Sequence, residues 1–259
     1  MIHTPRKRFG QNFLRDEGVI EAIARAIAPE EKHHLIEIGP GEGAITQALV
    51  TSSCRFDAIE LDRDLRARLL AAFSTYSNFT LHSADALQFD FASLQQADRP
   101  MRVIGNLPYN ISTPLLFKLL DYGPLIADMH FMLQLEVVER LAATPGNKNW
   151  GRLGVMAQFQ CEVEQLFEVP PEAFYPPPKV QSAIIRLTPR PTPRWSHVDR
   201  EALAKVVSRA FSQRRKTLRN NFKNVLTDAQ LDAAGIDPKA RAETLSIDDF
   251  VALTEASGQ

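Results

Sequence analysis

The chain has 259 residues, 44% of them hydrophobic and 24% charged, which describes an ordinary globular protein with room for one large domain and a smaller partner. Two cysteines, Cys54 and Cys161, are too few for a disulfide framework, and no run of about 18 apolar residues is present to cross a membrane. The N-terminus is basic but has neither the apolar core nor the small-residue cleavage site of a signal peptide, so a cytoplasmic protein without membrane association is expected.

In chain order, Asp16 is a candidate N-cap for a helix in which Val19, Ile20, Ile23 and Ile27 recur at helical spacing. HLIEIG (34–39) reads as a buried strand and AITQALV as the helix after it. FDAIEL (56–61) is the next strand and DRDLRARLLAAF the next helix, followed by strands in FTLHSAD (79–85) and MRVIGNL (101–107). TPLLFKLLDYG reads as a helix ending at Gly123, and MHFMLQLE (129–136) as a further apolar strand. Strands alternating with helices imply an α/β fold, a parallel, doubly wound sheet covered on both faces. CEVEQLFEVP and KVQSAIIRLTP are late strands expected to pair antiparallel, because the Pro-rich segment between them can turn the chain back.

The composition then changes. TPRPTPRW (188–195) carries three prolines in eight residues, a stiff extended linker. It predicts a boundary near residue 190, between a sheet domain (1–190, with a basic tail over 1–15) and a small all-helical domain (191–259). In the latter, Leu203, Val206, Val207, Ala210 and Phe211, then Leu218, Phe222, Val225 and Leu226, follow helical periodicity, and short helices broken at Gly235 and Pro238 complete the chain.

The net charge of −1 hides a segregation of charge. Between Ala202 and Thr227 there are seven cations (Lys205, Arg209, Arg214, Arg215, Lys216, Arg219, Lys223) and no acid. The tail adds Arg6, Lys7, Arg8 and Arg15 before the first acid, Asp16. Any one basic helix is most simply a solvated face, but two segregated basic segments suit a polyanion. Arg215 and Arg219 are four residues apart and expected on one helical face.

Four strand ends carry the chemistry. Gly39, Gly41 and Gly43 in IEIGPGEGAIT let the backbone turn tightly and approach a ligand, as nucleotide-binding loops do at the carboxyl edge of a parallel strand. Glu60 ends the next strand, where a carboxylate can accept both ribose hydroxyls. Asp85, in SAD, can accept from an exocyclic adenine amine. These three fit NAD and S-adenosylmethionine equally. The fourth end, GNLPYNIS (105–112), discriminates between them. The Asn106 side-chain oxygen and the Leu107 carbonyl can hold both hydrogens of an adenine N6 amine and free its lone pair. Pro108 biases Leu107 to an extended shape, and Tyr109 offers a face for stacking. The six histidines (His3, His33, His34, His82, His130, His197) show no ligand spacing with either cysteine, so no metal is expected; His33 and His34 are expected at a strand entrance and both cysteines in ordinary packing.

GNLPY after a strand, with EIGPGEG upstream, resembles the class I S-adenosylmethionine methyltransferases that act on adenine N6. KRFGQNFLRD (7–16), AFYPPPKVQS (173–182) and FSQRRKTLRNN (211–221) narrow the resemblance to the KsgA (RsmA) type of ribosomal RNA adenine N6,N6-dimethyltransferase, and RRKTLRN favours it over the related Erm antibiotic-resistance enzymes. That resemblance implies a Rossmann-like sheet, parallel with an antiparallel late strand, and a helical RNA-binding domain. It implies S-adenosylmethionine as methyl donor, S-adenosylhomocysteine as product and no metal. The substrate would be two adjacent adenosines in the 3′-terminal hairpin of 16S RNA in the small ribosomal subunit, met by a monomer with a role in subunit biogenesis.

It also assigns residues. Asn12 and Leu14 would close over the cofactor. Gly39 would contact its carboxypropyl part, Glu60 the ribose and Asp85 the adenine, and Gly41, Leu61 and Ala86 would also bind the cofactor. Asn106 would touch both cofactor and target, Leu107, Pro108 and Tyr109 would shape the acceptor pocket, and Phe174 would stack on the target base, although without the resemblance Phe174 reads as a core residue. Arg6, Lys7, Arg8, Arg214, Arg215, Lys216 and Arg219 would hold RNA. Three other readings stay open: an assembly factor that binds without catalysis, a DNA adenine methyltransferase, and a nicotinamide-dependent oxidoreductase. The last lacks a visible Tyr-x-x-x-Lys or His/Asp constellation.

Overall fold

Strand and helix alternate as the periodicity predicts. A computed structural model of the protein describes residues 12–52, 54–96, 98–108, 110–190 and 194–258. Arg6, Lys7, Arg8 and Tyr109 lie outside the described residues. The elements run β1 (Phe13–Leu14), α1 (Glu17–Ile27), β2 (His34–Ile38), α2 (Ala44–Leu49), β3 (Arg55–Glu60), α3 (Arg63–Phe73), β4 (Phe79–Ser83), β5 (Met101–Asn106), α4 (Ser112–Leu120) and β6 (Ile126–Gln134). They continue with α5 (Leu135–Ala142), α6 (Arg152–Gln160), β7 (Cys161–Val169), β8 (Phe174–Tyr175) and β9 (Ser182–Pro189), then α7 (Arg200–Ala210), α8 (Leu218–Asn221), α9 (Asp228–Ala233) and α10 (Ile247–Ala256).

Seven strands form one sheet in the order β4-β3-β2-β5-β6-β9-β7. The pairs β2–β3, β2–β5, β3–β4 and β5–β6 are parallel, and β9 runs antiparallel to β6, from Met129 opposite Leu187 to Gln134 opposite Ser182. The chain leaves β2 toward β3 and β4, then returns to place β5 on the other flank of β2. That reversal opens a crevice at the carboxyl ends of β2 and β5, where doubly wound sheets bind ligands.

Local chemistry explains the element ends. Asp16 caps α1, its carboxylate accepting from the Val19 amide at 2.9 Å. The helix buries Ile23 and Ile27. α4 stops at Leu120, short of the expected Gly123, which sits at φ +46° and opens a single 3-10 turn into β6. β2, β3 and β4 are clipped together by one buried carboxylate. Asp57 accepts from His34 Nε2 at 2.5 Å, His82 Nε2 at 2.6 Å and Arg55 Nε at 2.8 Å. Burial alone would raise the Asp57 pKa, but these partners hold it well below the usual carboxylate range. His34 is the first residue of β2, the strand entrance expected for it. Cys54 and Cys161 are buried and free, and burial pushes the Cys161 thiol up to about 12, leaving it inert. No helix among the described residues is long and apolar enough to cross a membrane.

The chain falls into two compact units. The first is Met1–Val138 with Glu164–Pro189, and it contains the crevice. The second is Arg190–Gln259 together with Glu139–Val163, which carries α6. The division at Pro189 lies in the Pro-rich segment. The inserted segment joins the second unit through specific ties: Trp150, 1% exposed, donates its indole N–H to Leu245 O at 2.8 Å, and Gly146 N–H donates to Glu243 O at 2.7 Å. Within this unit Leu203, Val206, Val207 and Ala210 face inward from α7. The expected helical continuity beyond Ala210 is corrected. Residues 211–217 form turns, with Asn221 Nδ2 donating to Ala210 O at 2.6 Å past the end of α7, and α8 is one turn long. Arg215 therefore sits in a turn and Arg219 in α8, not on one continuous helical face.

Candidate active site

The glycine loop joins β2 to α2. Gly39, Gly41 and Gly43 all have positive φ (+64°, +61° and +86°), and a Cβ on Gly43 would lie 2.7 Å from a Phe73 ring carbon. A side chain at Gly43 would have to push the Phe73 ring of α3 aside, and all three positions hold a left-handed backbone that side chains strain. At the end of β3, Glu60 is 7% exposed. Its Oε1 accepts from the Asp62 amide at 2.7 Å and its Oε2 from the Gly41 amide at 3.4 Å, so the acid is oriented by the loop beside it. Burial pushes its carboxyl above the ordinary range, and the two amides draw it partly back. After β4, Asp85 Oδ1 accepts from the Leu87 amide at 2.9 Å. Its Oδ2 has no hydrogen-bond partner among the described residues, and it stays open to an outside donor.

β5 delivers Asn106. Its Nδ2 donates to Asn12 O at 3.1 Å. Because that partner is a carbonyl, the amide nitrogen must face it, and Oδ1 is left as an acceptor with no partner among the described residues. Leu107 N–H is taken by Met132 O at 3.3 Å, while Pro108 O accepts from both Ile111 and Ser112. No donor among the described residues takes Leu107 O. Two acceptors thus come from consecutive residues at one strand end.

The segment from Asn12 to Arg15 lies across this edge. β1 pairs with β8, Phe13 opposite Tyr175 and Leu14 opposite Phe174, and Arg15 N–H donates to Ala173 O at 2.8 Å. The Arg15 guanidinium also pairs with Glu42 of the glycine loop. All nine residues expected to hold the cofactor (Asn12, Leu14, Gly39, Gly41, Glu60, Leu61, Asp85, Ala86, Asn106) line a single cavity of about 230 Å³, together with Leu107 and Pro108. The structure brings Gly, Glu, Asp and Asn from four separate strand ends to one place.

Phe174 is the exception. It is 4% exposed, does not line the cavity, and packs in the core with Leu14 and Ile184, while Tyr175 is 57% exposed. A two-residue strand sends neighbouring side chains to opposite faces, and here Phe174 is the inward one. In this structure Phe174 packs beneath Leu14, and it is the one expected acceptor-pocket residue among the described residues that does not reach the cavity. Of the expected RNA contacts, Arg214 pairs with Glu243 at 3.3 Å and with Lys148 O, and Arg219 pairs with Asp228 at 3.0 Å. Arg215 and Lys216 are exposed, with no carboxylate within 4.0 Å among the described residues.

One lining residue was not singled out from the sequence. Glu37, 1% exposed in the middle of β2, accepts from Thr46 Oγ1 at 2.5 Å, and burial pushes its carboxyl up to about 7. An acid inside the apolar run HLIEI was the available signal.

Comparison with known proteins decides what this crevice serves. The family model for Ribosomal RNA adenine dimethylase matches residues 2–257. The chain belongs to the ribosomal RNA adenine dimethylase family. It is 58% identical over 252 residues to the Ribosomal RNA small subunit methyltransferase A of Saccharophagus degradans, covering 97% of this chain and 94% of that one. It is 57% identical to the protein of that name from Pseudomonas aeruginosa, with the same coverage. Among solved structures, a dimethyladenosine transferase from Plasmodium falciparum superposes with a TM-score of 0.79 at 26% identity, over 93% of this chain and 95% of that one. The 23S rRNA methyltransferase ErmE superposes with a TM-score of 0.75 at 27% identity, over 96% of this chain and 100% of that one. This rRNA adenine dimethylase is an enzyme that uses S-adenosylmethionine, on a class I methyltransferase fold. Its cleft has a small-residue loop, a carboxylate beside it, and an Asp85 oxygen with no partner among the described residues, a donor set that fits such a cofactor. The sheet order and the antiparallel β9 agree with the expected Rossmann-like architecture.

Proposed function

We propose that this dimethylase modifies N6 of two adjacent adenosines in the 3′-terminal hairpin of 16S RNA, on the small ribosomal subunit, in the cytoplasm. The observation that carries the chemistry is the Asn106 amide. Its nitrogen is held by Asn12 O, which leaves Oδ1 as an acceptor one residue before the Leu107 carbonyl, which no donor takes among the described residues. An N6 amine has two hydrogens and a lone pair delocalised into the ring. Two acceptors from consecutive residues take both hydrogens, draw the nitrogen toward tetrahedral geometry and make the lone pair available. No strong base is required, since the amine becomes acidic only after it has attacked. S-adenosylmethionine, when bound, supplies a methyl activated by its sulfonium.

The chain supplies positioning, the term that dominates when the electrophile is already activated. Glu60 and Asp85 fix the ribose and the adenine, and the glycine loop takes the amino-acid end. Asn12 and Leu14 cover the site, and Pro108 holds Leu107 extended. A base must leave its stack to enter, so the target is an exposed nucleotide. The 58% identical relative is named a small-subunit methyltransferase, which supports the choice of RNA.

The test uses small subunits lacking adenine methylation. Protein and S-adenosylmethionine are added, the RNA is digested, and nucleosides are resolved by mass spectrometry. Dimethyladenosine at two adjacent positions, absent with Asn106→Ala, is the expected result. Methylation elsewhere, or none with cofactor bound, would overturn the assignment.

A further inference from the structure

A lysine in the last turn of a helix ordinarily serves the helix dipole from the surface. Lys118, in the last turn of α4, is half-buried and does something else. Its ammonium donates to three main-chain carbonyls, Ala86 O at 3.3 Å, Leu87 O at 2.8 Å and Phe89 O at 2.6 Å, which occupies all three N–H groups. The Nζ also lies 5.6 Å from the centroid of the buried Phe91 ring. Four residues on, Tyr122 Oη accepts from the Phe91 amide at 3.2 Å. The far end of α4 thus grips residues 86–91. Its near end is fixed at the acceptor segment, where Pro108 O accepts from the Ile111 and Ser112 amides.

The gripped turn is the one that carries Asp85. Asp85 O accepts from the Gln88 and Phe89 amides, each at 2.9 Å, and Asp85 Oδ1 from the Leu87 amide at 2.9 Å. Asp85 therefore holds the amides of this turn, and Lys118 holds its carbonyls. Ala86 and Leu87 line the cavity beside Asp85, whereas Lys118 does not. Removing the ammonium strips three carbonyls of a common donor. Carbonyls that lose a donor reorient to find another, and the Asp85 carboxylate, tied to the Leu87 amide, follows them.

We infer that Lys118 is a positioning residue for the adenine end of S-adenosylmethionine: through the turn of residues 85–89 it aims Asp85 Oδ2 at the exocyclic amine. The inference rests on the proposed assignment of Asp85 to that amine and adds the side chain that sets its direction without touching the cofactor.

The test measures, by calorimetry, the Kd of S-adenosylhomocysteine and of its inosine analogue, in which a carbonyl replaces the exocyclic amine. A carboxylate that accepts from the amine rejects the analogue, so the wild-type protein should prefer the adenine compound by about 10- to 100-fold. Lys118→Met, of similar length but without a donor, should bind the adenine compound about 10-fold more weakly and the analogue within about 2-fold of wild type, so that the preference collapses. With unmethylated subunits its KM for S-adenosylmethionine should rise by the same factor, with kcat much less affected. Lys118→Arg, which keeps a cation with several N–H donors, should recover most of the preference. A general loosening of the cleft would weaken both compounds alike; that result, or an unchanged preference, would overturn the inference. If Lys118→Met does not fold, Lys118→Gln, which keeps two N–H donors, should show a smaller loss of the same kind, and an unchanged preference there would overturn the inference equally. Asp85→Ala controls the underlying assignment. Preference lost in Asp85→Ala but kept in Lys118→Met would remove the role of Lys118 alone. Preference kept in both, or absent from the wild-type protein, would remove the assignment of Asp85 and the inference with it. Failure to methylate subunits, with the preference and its dependence on Lys118 intact, would overturn the proposed RNA target and leave the role of Lys118 standing.

Discussion

The side-chain amide of Asn106 donates to the main-chain carbonyl of Asn12 at 3.1 Å, across 94 residues of sequence. One bond therefore does two things. It anchors the segment that covers the cleft, and it sets which atom of the amide points at the substrate. Asn106→Ala removes both. Removing one preorganised group at a reacting centre costs about 10²–10³ in rate. We expect a loss of kcat of that size, read by methyl incorporation into unmethylated subunits. Asn106→Asp, which has no N–H for Asn12 O, should be no better than Ala.

Glu60 separates binding from chemistry. It is oriented by the amides of Gly41 and Asp62 and comes from the end of β3, whereas the acceptor pair comes from the end of β5. Glu60→Gln halves its acceptor capacity and removes its charge. Loss of one charge-assisted hydrogen bond is worth about 1.5–3 kcal/mol, or roughly 10- to 100-fold in affinity. Calorimetry should show the Kd for S-adenosylmethionine rising by that factor, with kcat at saturating cofactor much less affected.

Glu37 makes stability fall with pH. Burial raises its carboxyl to about 7 in the folded protein, against an ordinary value of 4.5. Between these values the unfolded chain has released the proton that the folded chain keeps, so the unfolded state binds fewer protons and stability drops as pH rises. The penalty is absent below 4.5, grows up to about 7 and is constant above, reaching on the order of 3 kcal/mol. Glu37→Gln, uncharged throughout, should lose this decline. Urea unfolding at pH 5 and pH 8 should give a smaller pH difference for the variant than for the wild type.

Arg102 and Asp128 behave in the opposite sense. The guanidinium, 7% exposed, grips both carboxylate oxygens at 2.9 and 2.8 Å and joins β5 to β6. Burial would raise the Asp128 carboxyl, but His130, whose Nδ1 is 3.4 Å away, and Arg102 together bring it to about 2. The bidentate Arg102 contact is the shorter and better directed of the two. With its folded value below 3.8, the acid contributes stability that is present above that pH and is lost as pH falls toward 2. Arg102→Ala leaves a half-buried carboxylate, 18% exposed, without its bidentate partner and should cost about 1.5–3 kcal/mol near pH 7. Chemical denaturation would read this loss, and the gap between variant and wild type should narrow on acidification.

Much of this protein was determined by sequence alone. Period-2 and apolar runs fixed β2 to β6 to within a few residues, since a buried strand tolerates little else. Glycines, acids and Asn-Leu-Pro at strand ends announced the cleft, because in a parallel sheet successive strand ends share one edge whatever the helices between them do. Other features needed the tertiary structure. The order β4-β3-β2-β5 depends on crossovers, which no local pattern encodes. The tie from Asn12 to Asn106 is a long-range contact invisible to periodicity. Phe174 and Tyr175 carry the same kind of ring, and only the pairing of Leu14 with Phe174 decided which faces the core. The seven cations after Ala202 read as one basic patch, yet folding brought Glu243 and Asp228 to Arg214 and Arg219 and left Lys205 and Arg209 without a carboxylate within 4.0 Å among the described residues. Sequence sets which charges exist; which of them remain unneutralised depends on distances of a few ångströms between residues far apart in the chain.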